Sequence, residues 1–198
     1  MEILKKCGME DCKPVCTPMV TGYNLNSHDD SSPVNQPEYK YMIRSLLYLI
    51  DTRPDIMHVV GIVGQFQANP KEIRLHTAKR IFKYLQGTQD FGLWYPKDVD
   101  ITLHAYTDAD WKRNVDDWKS TNGGEFYMGP HLVSWFNKIQ SPIALSTIEA
   151  KYVVVASCCT QLLWMMQTLQ DIQINFSPPI PILCDNTCQA LKNQAYSN

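Results

Sequence analysis

The chain lacks any excess of positive charge: 18 Lys and Arg stand against 20 Asp and Glu, a formal net charge of -2. Residues 1–101 hold 12 of each sign, so no basic tail or arm exists either. Non-specific attraction to nucleic acid is therefore excluded as the dominant property of the surface. No apolar run of secretory length occupies Met1 to Cys16, which carries Lys5, Lys6, Glu10 and Asp11, and no stretch reads as able to span a membrane. The default expectation is an intracellular protein with no membrane partner. The seven cysteines, at 7, 12, 16, 158, 159, 184 and 188, are odd in number and lack the paired spacing and His partners of a zinc module. They read as reduced, structural thiols in a reducing compartment, with Cys158 and Cys159 as small core residues. What the chain does have is 44% hydrophobic residues in 198, enough to bury the core of one domain or two small ones.

Residues 1–38 read as an extended lead-in, because Pro14, Pro18, Pro33 and Pro37 lie among Ser, Asn and Asp. A helical segment is expected over 39–95. Its first helix carries Met42, Leu46, Leu49 and Ile50. A second restarts at Pro54-Asp55 with Ile56, Val59, Val60, Val63 and Phe66. For the third, Asn69 is the expected cap, Pro70 lies in the first turn and Gly87 just past the end, with Ile73, Ala78, Ile81 and Leu85 facing inward. Its outer face shows Lys71, Arg74, Lys79, Arg80 and Lys83, which read either as a solvated helix face or as a track for phosphates.

The periodicity changes after Asp100. Residues 101–107, Glu125 to Met128 and 131–136 read as strands. Between Ser146 and Gln170, Ile148, Tyr152, Val155, Cys159, Leu162, Met166 and Leu169 recur in steps of four and three, the pattern of a central helix with one buried stripe. Residues 180–184 follow as a short strand, and Thr187 to Asn193 begin a last helix. The fold class expected is α/β: a helical segment, then a mixed sheet over 100–198 with a central helix.

Three segments carry chemistry: Tyr106-Thr107-Asp108-Ala109-Asp110-Trp111, Leu145-Ser146-Thr147-Ile148-Glu149-Ala150-Lys151-Tyr152 and Cys184-Asp185-Asn186. In order and context they resemble the ribonuclease H region of copia-type retrotransposon Pol polyproteins. Thr52-Arg53-Pro54-Asp55-Ile56 and Lys79-Arg80-Ile81-Phe82-Lys83-Tyr84-Leu85-Gln86-Gly87-Thr88 resemble the end of that family's reverse transcriptase and its connection to the nuclease. No polymerase active-site pair of aspartates is present, which excludes polymerisation by this stretch alone.

The resemblance implies a ribonuclease H-like fold cut short at its C-terminus, with cleavage of the RNA strand of an RNA–DNA hybrid by two divalent ions as the ancestral activity. It implies Asp108, residue 151 and Asp185 as the carboxylate positions, and a further acidic segment downstream that Asn198 precedes. The family's Glu-Ala-Glu-Tyr reads Glu149-Ala150-Lys151-Tyr152 here. Lys151 changes the formal charge of the three-residue site from minus three to minus one, and an ammonium has no lone pair for a metal. Asp108 and Asp185 are then a vestigial, weak metal site. No cofactor is expected beyond Mg²⁺ or Mn²⁺ should activity remain, and hybrid binding is vestigial.

Glu149 is no ready substitute. It lies about 160° from Lys151 around the helix, and with Ser146 it has the spacing of a capping box. Asp110 shares a face with Asp108 only if the strand continues, and Trp111-Lys112-Arg113 reads as a loop. Asp116, Asp117, Lys119, Ser120 and Thr121 resemble the family's loop after the first strand, with Trp118 in place of its usual arginine.

Three functions are compatible with these residues. One is a degenerate, non-catalytic Pol fragment. A second is a secreted effector of the oomycete RxLR kind, similar chains of which are known, delivered into a host cell to bind a host protein; Arg44-Ser45-Leu46-Leu47 is a broken form of that translocation motif. The third is an active hybrid endonuclease, completed by Glu149 or by a partner.

Overall fold

The computed structural model describes residues 2–20, 31–111, 118–174 and 179–184, and it divides into two compact units, Met1–Leu93 and Trp94–Asn198. The expected last helix at Thr187, together with Asp116 and Asp117, lies outside the described residues.

The first unit contains α1 (Glu2–Lys6), α2 (Gln36–Leu49), α3 (Pro54–Gly64) and α4 (Glu72–Gly87). α2 starts where Asn35 accepts the Glu38 backbone N–H at 3.2 Å, with Pro37 in the first turn. α3 starts at Pro54. Apolar residues at helical spacing, among them Met42, Leu46, Ile56, Val60, Val63, Ala78, Ile81 and Leu85, close one core. The buried Tyr39 hydroxyl donates to the Val63 carbonyl at 2.7 Å.

The N-terminal residues differ from an extended lead-in. Leu4 on α1 and Met9 are buried in this core, the Val15 N–H donates to the Lys83 carbonyl, and Pro14 lies so close to Gly87 that a Cβ there would meet it at 3.0 Å. Gly87 is thus the last residue of α4 and serves a close approach. Asn69 does not cap α4 either. Lys71 is drawn into a bridge with Pro33, flanked by Val34 N–H to Pro70 O and Glu72 N–H to Ser32 O, so the backbone stays extended until Glu72.

The second unit holds β1 (Leu103–Asp110), β2 (Thr121–Met128), β3 (His131–Ile139), α5 (Thr147–Asp171) and β4 (Ile182–Cys184). The sheet order is β3-β2-β1-β4, antiparallel between β1, β2 and β3 and parallel between β1 and β4. The result is an α/β fold with a mixed sheet. β2 turns into β3 through Gly129, at φ 59°, where a Cβ would meet the Asp100 carbonyl oxygen at 2.5 Å. Only glycine suits that corner.

α5 buries only part of the stripe its periodicity predicts: Leu162 and Leu169 are buried and Cys159 and Met166 pack partly against the core, but the first half of the helix turns another face inward. Ala150, Val154, Cys158, Leu162, Met165 and Leu169 are buried, whereas Ile148 and Tyr152 are 65% and 67% exposed. Small side chains decide the choice: Cys158 packs against Gly124, whose missing Cβ would lie 3.2 Å from its sulfur and 2.5 Å from the Phe136 ring. Close helix-to-sheet approach needs this slimmer face. By length and composition α5 is also apolar enough to cross a membrane, which corrects the reading that no stretch qualifies. The face it packs on the sheet is that of a core helix.

Candidate functional site

β1 alternates strictly. Leu103, Ala105 and Thr107 are buried toward α5, and His104, Tyr106, Asp108 and Asp110 take the other face. The strand runs on past Thr107 to Asp110, so Asp108 and Asp110 do share a face, and Trp111 leaves the strand as expected. Both aspartates are exposed. Trp111 then fixes the end of the strand by donating its indole N–H to the Ala144 carbonyl at 3.1 Å, just ahead of α5.

Thr107 is the register partner of Cys184 on β4. Its hydroxyl donates to the Gly123 carbonyl at 3.2 Å and shares a hydrogen bond with Cys158. Burial pushes the Cys158 thiol above its ordinary value, partly opposed by that bond with Thr107, and Cys159 and Cys184 lie near enough to add to the rise. Burial also pushes the Cys184 thiol up, and the positive charge of Lys151 acts against it. Lys151, half-buried in the second turn of α5, is thus near enough to the end of β4 for its charge to act on Cys184. No described cysteine is in a disulfide.

Glu149 is engaged as a cap. The Ser146 hydroxyl oxygen accepts the Glu149 N–H at 3.1 Å, and Glu149 Oε2 accepts the Leu145 N–H at 2.7 Å. Of the three expected site positions, Lys151 lies on α5 close enough for its charge to act on Cys184 of β4 and Asp108 is on the exposed face of β1; Asp185 lies outside the described residues. Mg²⁺ and Mn²⁺ want several hard oxygen donors. Among the described residues there is no group of three or more His, Cys, Asp or Glu side chains able to hold an ion.

Two of the five basic residues of the α4 segment are engaged within the fold. Arg74 is buried and stacks over the Phe66 ring at 3.9 Å, donating to the Asn69 carbonyl, while Arg80 donates to the backbone and hydroxyl oxygens of Thr17. An aromatic cluster missed in the sequence lies on the exposed face of the sheet. His104 stacks on Tyr127 at 5.2 Å, and Tyr106 meets both edge-on. The alternation of His104 and Tyr106 was its only sequence signal. Trp118, by contrast, is 58% exposed.

A helical unit followed by a mixed sheet, with acids on β1 and a cation of α5 near the end of β4, defines the chain as an α/β protein of two units. It is similar to a stretch of copia-type retrovirus-related Pol polyproteins. It is 38% identical over 186 residues to the retrovirus-related Pol polyprotein from transposon RE2 of Arabidopsis thaliana, an alignment covering 94% of this chain and 13% of that protein. It is 31% identical over 191 residues to the Pol polyprotein from transposon TNT 1-94 of Nicotiana tabacum, covering 93% of this chain and 14% of the relative. The chain thus spans roughly an eighth of the length of these curated relatives. A secreted RxLR effector protein, 161, of Plasmopara viticola is 34% identical over 128 residues, 64% of this chain and 90% of that protein. No family model matches the chain, and no solved structure does.

Proposed function

We propose that this stretch of Pol carries a ribonuclease H-like unit that no longer cleaves RNA–DNA hybrids. The single observation behind the reading is Lys151 in place of the family's glutamate in Glu149-Ala150-Lys151-Tyr152, supported by the effect of its charge on Cys184, the residue before Asp185 in sequence. A cation stands where an oxygen donor is needed. The order of three antiparallel strands, helix and parallel strand supports the fold assignment. Glu149 is not a replacement donor, because its carboxylate is spent on the Leu145 N–H.

When bound, divalent ions would activate water and neutralise the leaving oxygen. The described donor set does not fit them, so Asp108 and Asp185 are read as vestigial. The test is cleavage of a labelled RNA–DNA hybrid in Mg²⁺ or Mn²⁺. No cleavage is expected from the native chain, and tighter Mn²⁺ binding is expected from Lys151→Glu. Robust cleavage by the native chain would overturn the proposal.

A second reading is favoured by the Plasmopara viticola relative: the fold serves as a host-protein-binding module, delivered by secretion. It predicts capture of one defined host protein after expression in host tissue, with a change in defence or cell death. Failure of both would sink it.

A further inference from the structure

A cleft of about 310 Å³ opens in the second unit between the end of β3, the loop that follows it and the first half of α5. Phe136 and Val153 give it apolar walls, and Lys138, Ser157 and Gln161 supply polar ones. Its two buried lining residues, Asn122 and Gln140, are 6% and 3% exposed and form its floor. Gln140 ties three segments together. Its backbone N–H donates to the Ser120 carbonyl at 2.8 Å, and its Nε2 donates to Asn122 Oδ1 on β2 and to the Ala150 carbonyl on α5 at 2.8 Å. Both Nε2 protons are then used, and the Ala150 carbonyl fixes which way the amide faces, since a reversed amide would set oxygen against oxygen. Oε1 is left buried with no hydrogen-bond partner. An acceptor stripped of water with nothing in return is an uncompensated loss that calls for a donor.

We propose that this cleft binds a small planar ring whose N–H is flanked by carbonyls, a cyclic imide of the pyrimidine-dione kind, with that N–H donated to Gln140 Oε1. The donor is a neutral one, because Lys138 is the one ionisable side chain in the lining and its charge repels an ammonium or guanidinium. The carbonyls beside the N–H are acceptors for the Lys138 ammonium and the Gln161 amide, polar groups of the same lining. A flat ring offers two apolar faces, which suit the Phe136 ring and Val153 better than the hydroxyl-covered body of a sugar would. The volume lies at the lower end of the roughly 300–1,000 Å³ of small-molecule sites, room for one ring and far more than the single water that Oε1 alone would take.

The test is a titration of the full chain, followed through backbone and side-chain amide resonances, with 1-methyluracil, which keeps the flanked N–H, and 1,3-dimethyluracil, which has lost it. Neither metal nor RNA–DNA hybrid is present, so the result is independent of the cleavage reading. Saturable shifts at residues 138–142 and 153–161 and at the Gln140 side-chain amide are expected with 1-methyluracil, with a Kd on the order of 1 mM for so small a ligand. The dimethyl compound should bind at least about fivefold more weakly, since it leaves the buried acceptor unpaired. Ser157 is exposed, so Ser157→Trp is expected to fill the cleft and abolish the shifts with an unchanged far-UV spectrum. No saturable shift with 1-methyluracil, as when an ordered water is the sole partner of Oε1, overturns the proposal. So do equal affinities for the two compounds, binding that persists in folded Ser157→Trp, or equally tight binding of ribose.

Discussion

Arg53 grips Asp55 at two points, Nε to Oδ1 at 2.9 Å and Nη2 to Oδ2 at 2.7 Å, and its remaining nitrogen donates to the Thr88 carbonyl at 3.0 Å. Nη2 also donates to the Thr88 hydroxyl, and Tyr84 donates its own hydroxyl to Asp55. Two sequence motifs, one at the start of α3 and one at the end of α4, are thus a single clamp. Their role in the fold is to tie these helices together.

Because Arg53 is buried, its removal leaves the Thr88 carbonyl and the Asp55 carboxylate short of donors. Arg53→Met is expected to cost about 2–3 kcal/mol, toward the lower end of losses for broken buried pairs because Asp55 is partly exposed. Urea unfolding followed by circular dichroism checks this, and a loss below about 0.5 kcal/mol would place the clamp among weak surface pairs.

The same clamp sets an acid limb. Burial alone would raise the Asp55 carboxyl, but hydrogen bonds from Arg53 and Tyr84, with the Arg53 charge, hold it below its ordinary value. A carboxyl depressed in the folded state adds stability above its unfolded pKa of about 3.9 and loses it as pH falls through the folded value. Urea midpoints measured from pH 6 downward should therefore fall less steeply in Asp55→Asn than in the native chain.

At Gly129 a side chain meets both a positive φ and the Asp100 carbonyl. Gly129→Ala is expected to destabilise the second unit by about 2 kcal/mol, more than the gain of up to about 1 kcal/mol from restricting the unfolded chain. Hydrogen exchange across β2 and β3 would register the loss, and unchanged protection would contradict it.

Lys151 lowers the Cys184 thiol against its burial. Replacing it by methionine should raise that thiol further, so alkylation of Cys184 at fixed neutral pH should slow. A rate equal to that of the native chain would mean that its charge does not act on Cys184, and the proposed loss of cleavage would lose that support.

The cap at α5 is worth about 1 kcal/mol. Glu149→Ala removes the acceptor of the Leu145 N–H and should lower the thermal midpoint by a few degrees. Glu149→Gln should recover part of the loss, since an amide oxygen can still accept that bond.

The start of α3 was legible because Pro54 marks it through local chemistry, whereas Asn35 and Pro37, which open α2, fell inside the segment read as an extended lead-in. The start of α4 was not legible either, since the Pro33–Lys71 bridge that holds its first residues extended joins segments distant in sequence. The buried face of α5 escaped for a related reason. Two apolar arcs satisfy the same spacing, and the deciding partner, Gly124, lies on β2. Strand β1 continues through two aspartates because β2 pairs with it to Thr121, a contact that turn propensity does not register. Lys151 could be singled out from its motif, but its approach to Cys184 depends on β4 being parallel to β1.

That parallel pairing has a consequence for assembly. A parallel neighbour cannot be reached by a hairpin turn; the intervening chain, α5 included, must cross over before Ile182–Cys184 can dock. Among the described residues three pair it with β1, so β4 is expected to be the last strand to join and the first to detach.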